Sequence, residues 1–246
     1  MNIALILSGG TGTRLGCNIP KQYIEVNDKM IICYCLETIA ANSQVDCIQI
    51  VADEVWHSKI AQALDDECLA KLKGFSLPGA NRQLSIYNGL TDIRAYADDD
   101  SYVLIHDAAR PLLKNELIDA CFDAVGGKTD TSGMNIVLGK KYDGVLPVVP
   151  IKDTVYMSED KKHISSLIDR DKIYGGQAPE VFLLGRYYKA NEELVPDKIL
   201  KINGSTEPAV MAGMDIVMIE GDENNFKITT QADLDKFKYM IKTRGF

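Results

Sequence analysis

The residues best suited to chemistry stand near the start of the chain. Ser8-Gly9-Gly10-Thr11-Gly12-Thr13-Arg14-Leu15-Gly16 is followed by Pro20-Lys21-Gln22-Tyr23, so four glycines fall within eight residues and two cations accompany them. Glycine lets the backbone turn with positive φ and brings its N–H groups close to an anion, an approach that side chains would block. Amide dipoles suffice to hold a pyrophosphate. A bidentate guanidinium (Arg14) and an ammonium (Lys21) go further, because they suit a phosphorus centre that gains charge during reaction. The stretch therefore reads as a nucleotide-triphosphate cradle. Two better-known loops fit poorly. A dinucleotide fingerprint needs glycine where Leu15 stands and a helix where Pro20 intervenes, and a P-loop needs Gly-Lys-Ser/Thr where Gly16 precedes Cys17.

The second signal is Tyr102-Val-Leu-Ile-His106-Asp107-Ala-Ala-Arg110-Pro111. A strand ends, a carboxylate appears at its C-terminal edge, and a proline-marked turn leads to a helix from about Lys114. Ligands of open α/β sheets sit at such strand ends. A lone Asp107 there is placed to hold Mg²⁺ between phosphates, since Mg²⁺ takes one or two protein carboxylates and fills its other positions with substrate oxygens and water.

The elements that must position these residues alternate along the chain. Ile3 to Leu7 is continuously apolar, as in a strand covered on both faces. Ile31 to Ala41 has helical spacing, Ile48 to Ala52 is strand-like, and Val55 to Leu72 reads as one helix. Phe75 to Pro78 is a short strand feeding a glycine turn and a helix through Arg82 and Ser85, whose N-terminus is available to an anion or a polar base edge. After a helix from Asn115 to Val125, Gly126 to Met134 is loop. Gly144 to Ile151 is a strand, and Lys152 to Tyr156 with Ser165 to Ile168 form a hairpin around the polar tip Ser158 to His163. That hairpin has too little core to stand alone and needs a partner. Val217 to Gly221 is a further strand, and Thr230 caps a last helix from Ala232 to Thr243. The order predicts one α/β domain over residues 1–246. Its mainly parallel twisted sheet carries helices on both faces, and an antiparallel arm spans about 138–170.

The motif Leu7 to Gly16 with Pro20-Lys-Gln-Tyr23 resembles the signature loop of the alditol-phosphate cytidylyltransferase family, which comprises the methylerythritol-phosphate and ribitol-phosphate cytidylyltransferases. The likeness runs nearly end to end. It recurs in Gly79-Ala-Asn-Arg82-Gln-Leu-Ser85, in His106-Asp107-Ala-Ala-Arg110, in Gln177-Ala-Pro-Glu-Val-Phe182, and in Asn225-Phe-Lys227-Ile-Thr229. It implies the nucleotide-diphospho-sugar transferase version of the fold and the reaction CTP + alditol phosphate → CDP-alditol + pyrophosphate. Its pathways would be isoprenoid precursors, teichoic acid or capsule. It also implies that Leu7, Ser8, Gly9, Gly10, Thr11, Gly12, Thr13, Gly79, Arg82 and Ser85 contact CTP. Arg14, Lys21, Lys227 and Asp107 would serve catalysis, and Asn225 would assist Asp107 with the metal. Arg110, Thr154, Arg170, Gln177 and Ser205 would meet the acceptor, with Thr154 and Arg170 supplied to a partner's site by an arm that makes a homodimer. Three positions depart from the family pattern: Ala80 for an acidic residue, Ala178 for threonine, and Pro208 within an otherwise acidic Thr-Asp segment.

The whole chain has 246 residues, 35 acidic against 27 basic, and a formal net charge of −8. With no basic run, nucleic acid is excluded as a main partner. No apolar run approaches the roughly 18 residues that would span a bilayer, and the start lacks a charged signal region, so a cytoplasmic protein without membrane attachment is expected. Six cysteines without paired Cys-x-x-Cys spacing predict buried reduced thiols rather than a zinc site. Two other readings are a nicotinamide-dependent oxidoreductase and a non-catalytic nucleotide-binding protein. The first would need a general acid or base, and His106, expected on a strand remote from the loop, is its only candidate. The second would have no use for Arg14, Lys21 and Lys227 together.

Overall fold

The structure is a computed structural model that describes residues 1–10, 19–128 and 139–244. Its elements begin with β1 (Asn2–Leu7), the short pair β2 (Glu25–Val26) and β3 (Lys29–Met30), α1 (Ile31–Ala41), β4 (Cys47–Val51), α2 (Glu54–Ala63), α3 (Asp66–Lys71) and β5 (Leu72–Ser76). Next come α4 (Arg82–Ile93), β6 (Tyr102–Asp107), α5 (Asn115–Gly126), β7 (Gly144–Pro150), β8 (Val155–Met157), β9 (Ser166–Ile168) and β10 (Tyr174–Gly176). The chain finishes through β11 (Glu180–Leu183), α6 (Leu184–Glu192), α7 (Glu207–Met211), β12 (Ile216–Glu220) and α8 (Gln231–Arg244).

The main sheet has the order β10-β7-β11-β6-β1-β4-β5, with β12 on the outer side of β7. Strands β1, β4, β5 and β6 are mutually parallel, and β12 is parallel to β7. The sheet is mainly parallel, as expected, and within it β10 and β11 run antiparallel to their neighbours. The arm explains one of them. The chain leaves along β7, turns back through the self-paired hairpin β8–β9, and returns as β10 against β7, so the hairpin extends an antiparallel ribbon of the sheet. The lower bound expected for the arm, about 138, lies outside the described residues.

Alternation along the central strands sorts side chains onto two faces. Ala4, Ile6, Ile48, Ile50 and Leu104 pack with α1 and α5, whereas Ile3, Leu5, Val51, Val103 and Ile105 pack with α4 and α6. A third cluster seats Leu234, Phe237 and Ile241 of α8 against Ile31 and Tyr34 of α1. The helix expected over 55–72 is instead two. Leu64 is extended, and the Asp65 carboxylate accepts from the Cys68 N–H at 2.8 Å, restarting the chain as α3 before Leu72 enters β5. A new N-cap with acidic residues behind it satisfies exposed amides that an unbroken helix would have paired internally. The five described cysteines, Cys33, Cys35, Cys47, Cys68 and Cys121, are buried and free, as expected. Among the described residues, no helix is long and apolar enough to cross a membrane.

The site-facing helix α4 sits close to the sheet because Gly89 has no side chain. A Cβ there would lie 2.5 Å from Leu5 Cδ1 and 2.9 Å from Cδ2, and Leu5 is fully buried. Gly89→Ala gains about 1 kcal/mol of helix propensity but overpacks a filled core, which costs roughly 1–3 kcal/mol. Overpacking should win, and urea denaturation should show a net loss of about 1 kcal/mol. A stabilised variant would mean that α4 is free to retreat.

Candidate active site

Four separated segments meet in one cleft of about 460 Å³. Leu7, Gly9, Gly10 and Lys21 come from the glycine stretch and the 3-10 turn Lys21–Tyr23. Gly79, Arg82 and Ser85 come from the start of α4, Asp107 from the end of β6, and Lys227 from the loop before α8. Thr11, Gly12, Thr13 and Arg14 lie outside the described residues.

The described part of the glycine stretch is shaped by its neighbours. Gln22 Nε2 donates to the carbonyls of Ser8 at 2.6 Å and Gly10 at 2.8 Å. Two carbonyls are thereby held by protein donors, which favours an anion-binding loop, since an unpaired carbonyl at the site would repel phosphate. Tyr23, stacked on Trp56, donates to the Ser8 carbonyl and accepts from the Ser8 hydroxyl, both at 2.9 Å. Ser8 is thus buried and turned into the fold, and its side chain does not line the cleft. A Cβ on Gly9 would stand 2.5 Å from Pro78 Cβ, so glycine is what lets the β1 exit approach the turn leading to α4. On that turn, the Asn81 side chain caps α4 by accepting from the Leu84 N–H, and Ser85 Oγ accepts from the Gly79 N–H at 2.9 Å.

Electrostatics centre on Asp107. Its Oδ1 lies 3.1 Å from Arg82 Nε, and its Oδ2 lies 2.9 Å from Lys227 Nζ and 3.7 Å from Arg110 Nε. Burial alone would raise this carboxyl, but Arg82, Lys227 and Arg110 together hold it far below the usual carboxylate range. Burial would lower the Arg82 guanidinium, and Asp107 and Glu180 outweigh it, leaving it above its ordinary value. Among the described residues lining the cleft, Asp107 is the one carboxylate, beside the cations Lys21, Arg82 and Lys227. The arrangement attracts a polyanion and excludes a free general base.

The remaining expected residues are placed differently. Gln177 is buried with its amide spent on one backbone unit: Oε1 accepts from the Asp222 N–H at 3.0 Å and Nε2 donates to the Asp222 carbonyl at 3.1 Å. It clamps the loop that carries Lys227 and does not line the cleft. Ser205 is buried too, its hydroxyl donating to Glu180. Arg110 reaches Asp107 and donates through Nη1 to the Asn225 carbonyl at 2.6 Å, behind the cleft wall. Asn225 is fully buried and donates from Nδ2 to the Ala178 carbonyl, and although its Oδ1 has no partner, it does not face the cleft. Thr154 and Arg170 are exposed around the arm, where Arg170 Nη1 donates to the Lys152 carbonyl. His106 is not remote, since β6 pairs directly with β1. It is fully buried, and burial lowers its imidazole to about 4, so it is neutral and sealed from the cleft.

Sequence reading missed Gln22, Asn81, Thr229 and Glu180. Gln22 and Thr229 stand inside motifs already recognised, and Asn81 before a helix start carries a cap signal. Glu180 had no local signal, because its partners are distant in sequence.

A family model described as "IspD: 2-C-methyl-D-erythritol 4-phosphate cytidylyltransferase" matches residues 2–243. A ribitol-5-phosphate cytidylyltransferase of Vibrio parahaemolyticus is 31% identical, over 99% of this chain and 97% of its own. A 2-C-methyl-D-erythritol 4-phosphate cytidylyltransferase of Thermotoga neapolitana is 29% identical, over 98% and 97% respectively. The fold matches the crystal structure of 4-diphosphocytidyl-2C-methyl-D-erythritol synthase from Anaerococcus prevotii with a TM-score of 0.77 at 23% identity, covering 98% of this chain and 96% of that one. With the glycine stretch, Asp107 and Lys227 gathered on one cleft, and with a match from residue 2 to residue 243, the chain belongs to the 2-C-methyl-D-erythritol 4-phosphate cytidylyltransferase family.

Proposed function

We propose that this chain transfers the CMP unit of CTP to a polyol phosphate, releasing pyrophosphate and a CDP-alditol. The observation that carries the reading is the convergence of Lys21, Arg82, Asp107 and Lys227 on the glycine-lined cleft. An acceptor phosphate oxygen attacks the α-phosphorus in line, a P–O bond forms, and the bond to the leaving pyrophosphate breaks. No enzyme nucleophile is required, so positioning and charge stabilisation carry the rate. Lys21, with Arg14, stabilises charge on the triphosphate and the departing pyrophosphate, and Lys227 serves the α-phosphate and the incoming oxygen. Arg82 and Ser85 contact the nucleotide. A hydride-transfer reading lacks support, because buried, neutral His106 is unavailable for proton transfer.

The donor set suits Mg²⁺. Among the described residues no group of three or more His, Cys, Asp or Glu is placed to hold a metal ion by itself, and a single cleft carboxylate fits an ion that takes its other ligands from phosphates and water. Asp107 would hold it, and when bound it would screen charge between phosphates. Asn225 is not proposed as a ligand. EDTA should abolish turnover and Mg²⁺ restore it, while Asp107→Asn should turn over poorly even at saturating Mg²⁺. Undiminished turnover in EDTA would end this assignment. Lys21→Ala should keep the fold and lower kcat by about 10²–10³, and near-normal turnover would remove Lys21 from the mechanism.

The acceptors named by relatives are ribitol 5-phosphate and 2-C-methyl-D-erythritol 4-phosphate. Labelled CTP offered with each in turn decides between them, and product with neither would overturn the function. Gln177→Ala should destabilise the protein by roughly 1–3 kcal/mol, because the backbone groups of Asp222 lose their partners. Unchanged stability with a raised acceptor KM would return Gln177 to the acceptor.

The arm is proposed to join a second copy. Tyr156, Met157, Ile164 and Leu167 are exposed on or beside a hairpin that pairs only with itself. Thr154 and Arg170 would then complete the partner's site. Lys21→Ala and Arg170→Ala should each be nearly inactive alone, yet after joint refolding about half the dimers are hybrids with one intact site, restoring roughly a quarter of wild-type activity. If Arg170 serves its own chain, the mixture stays inactive.

A further inference from the structure

Glu180 is a buried carboxylate that neither the cleft nor the mechanism above uses. It opens β11 and pairs in register with Ile105 of β6, two residues before Asp107. Directly opposed residues of an antiparallel pair share a face, and so do residues two apart. Glu180 and Asp107 therefore stand diagonally on the face covered by α4, whose first residue is Arg82. The guanidinium lies between them, with Nε 3.1 Å from Asp107 Oδ1 and Nη2 3.9 Å from Glu180 Oε1. Glu180 is 6% exposed and is fixed from behind, accepting hydrogen bonds from Ser205 Oγ and, at 2.8 Å, from Thr206 Oγ1. Burial leaves its carboxyl above the ordinary value, with the Arg82 charge and the two hydroxyls offsetting only part of the rise.

Arg82 would otherwise have one carboxylate within reach. A guanidinium facing a single carboxylate tends to close on it as a bidentate fork. That pose would turn the fork toward Asp107 and away from the cleft. We infer that Glu180 is a positioning residue, whose charge holds the Nη2 side of Arg82 off Asp107 and keeps the guanidinium aimed for the nucleotide. Ser205 and Thr206 fix that charge, which gives the polar residues of this loop a task away from the acceptor. The inference rests on the proposed contact between Arg82 and CTP.

The test is CTP binding by calorimetry, with CTP KM and kcat, for wild type, Glu180→Gln, Arg82→Ala and the double variant. Glutamine keeps the shape and removes the charge; its one oxygen still accepts from one of the two hydroxyls, and the other hydroxyl turns to accept from the amide NH2. Glu180→Gln should melt near the wild-type temperature, weaken CTP by about tenfold, as for the loss of one charged contact, and change kcat much less. In the Arg82→Ala background the same substitution should change CTP affinity by less than about twofold, because its effect runs through Arg82. Undiminished weakening in that background would make Glu180 a structural residue and overturn the inference, as would Glu180→Gln binding CTP normally. If Arg82→Ala binds CTP normally, the contact beneath the inference fails, and if wild type does not bind CTP, the proposed function fails with it. Should Glu180→Gln not fold, Thr206→Val leaves the charge in place but releases one of its tethers. It should weaken CTP by about threefold, and unchanged affinity would overturn the proposal.

Discussion

The structure depends on keeping one carboxylate ionised at the end of a buried strand. Asp107 leaves water at the C-terminal edge of β6, and an isolated charge there would neutralise itself. Arg82, Lys227 and Arg110 prevent this, and they come from three different segments. Their convergence ties the start of α4, the turn after β6 and the loop before α8 to one point. The ion pairs contribute little to net stability once desolvation is counted. Their effect is to specify where three cations stand before any substrate arrives. Such preorganisation lets charge stabilisation act without reorganising the site during reaction.

The sign of the site opposes the sign of the molecule. The chain carries a formal net charge of −8, yet the described cleft gathers Lys21, Arg82 and Lys227 against Asp107 alone. A positive cleft in an acidic protein focuses the field on anionic ligands while the rest of the surface repels nucleic acid and other polyanions. The glycine stretch completes this at short range. Gln22 and Tyr23 engage the carbonyls of Ser8 and Gly10, removing two partial negative charges from the path of a phosphate.

The strands were legible because parallel strands buried on both faces read as apolar runs, and β1 and β6 show this. Asp107 was legible because a carboxylate ending such a run has few structural reasons to be there. Gln177 and Ser205 were not, since each motif showed a polar side chain without its direction. Gln177 spends its amide on Asp222, 45 residues away, and Ser205 its hydroxyl on Glu180, 25 residues away. Pairings at that separation arise from sheet order, which local pattern does not encode. The break at Asp65 was legible in principle, because an aspartate followed by Asp66 and Glu67 is a helix start set inside an apolar helical pattern.

On the proposed reading, nucleotide and acceptor recognition rest on scaffolds of different stiffness. The proposed nucleotide side is built on β1, β6 and α4, where Leu5, Ile86, Val103 and Ile105 are fully buried, so those positions are fixed by close packing. The acceptor-side candidates Thr154 and Arg170 stand around a hairpin whose strands pair only with each other and whose apolar residues are exposed. Such an element acquires definite geometry by docking, so on the proposed reading assembly is a condition of acceptor binding. That division also fits relatives that share a family while bearing the names of two different polyol phosphates. If the arm supplies the acceptor side as proposed, changes in it alter acceptor binding while leaving the packed strands β1 and β6, helix α4 and the charges around Asp107 intact.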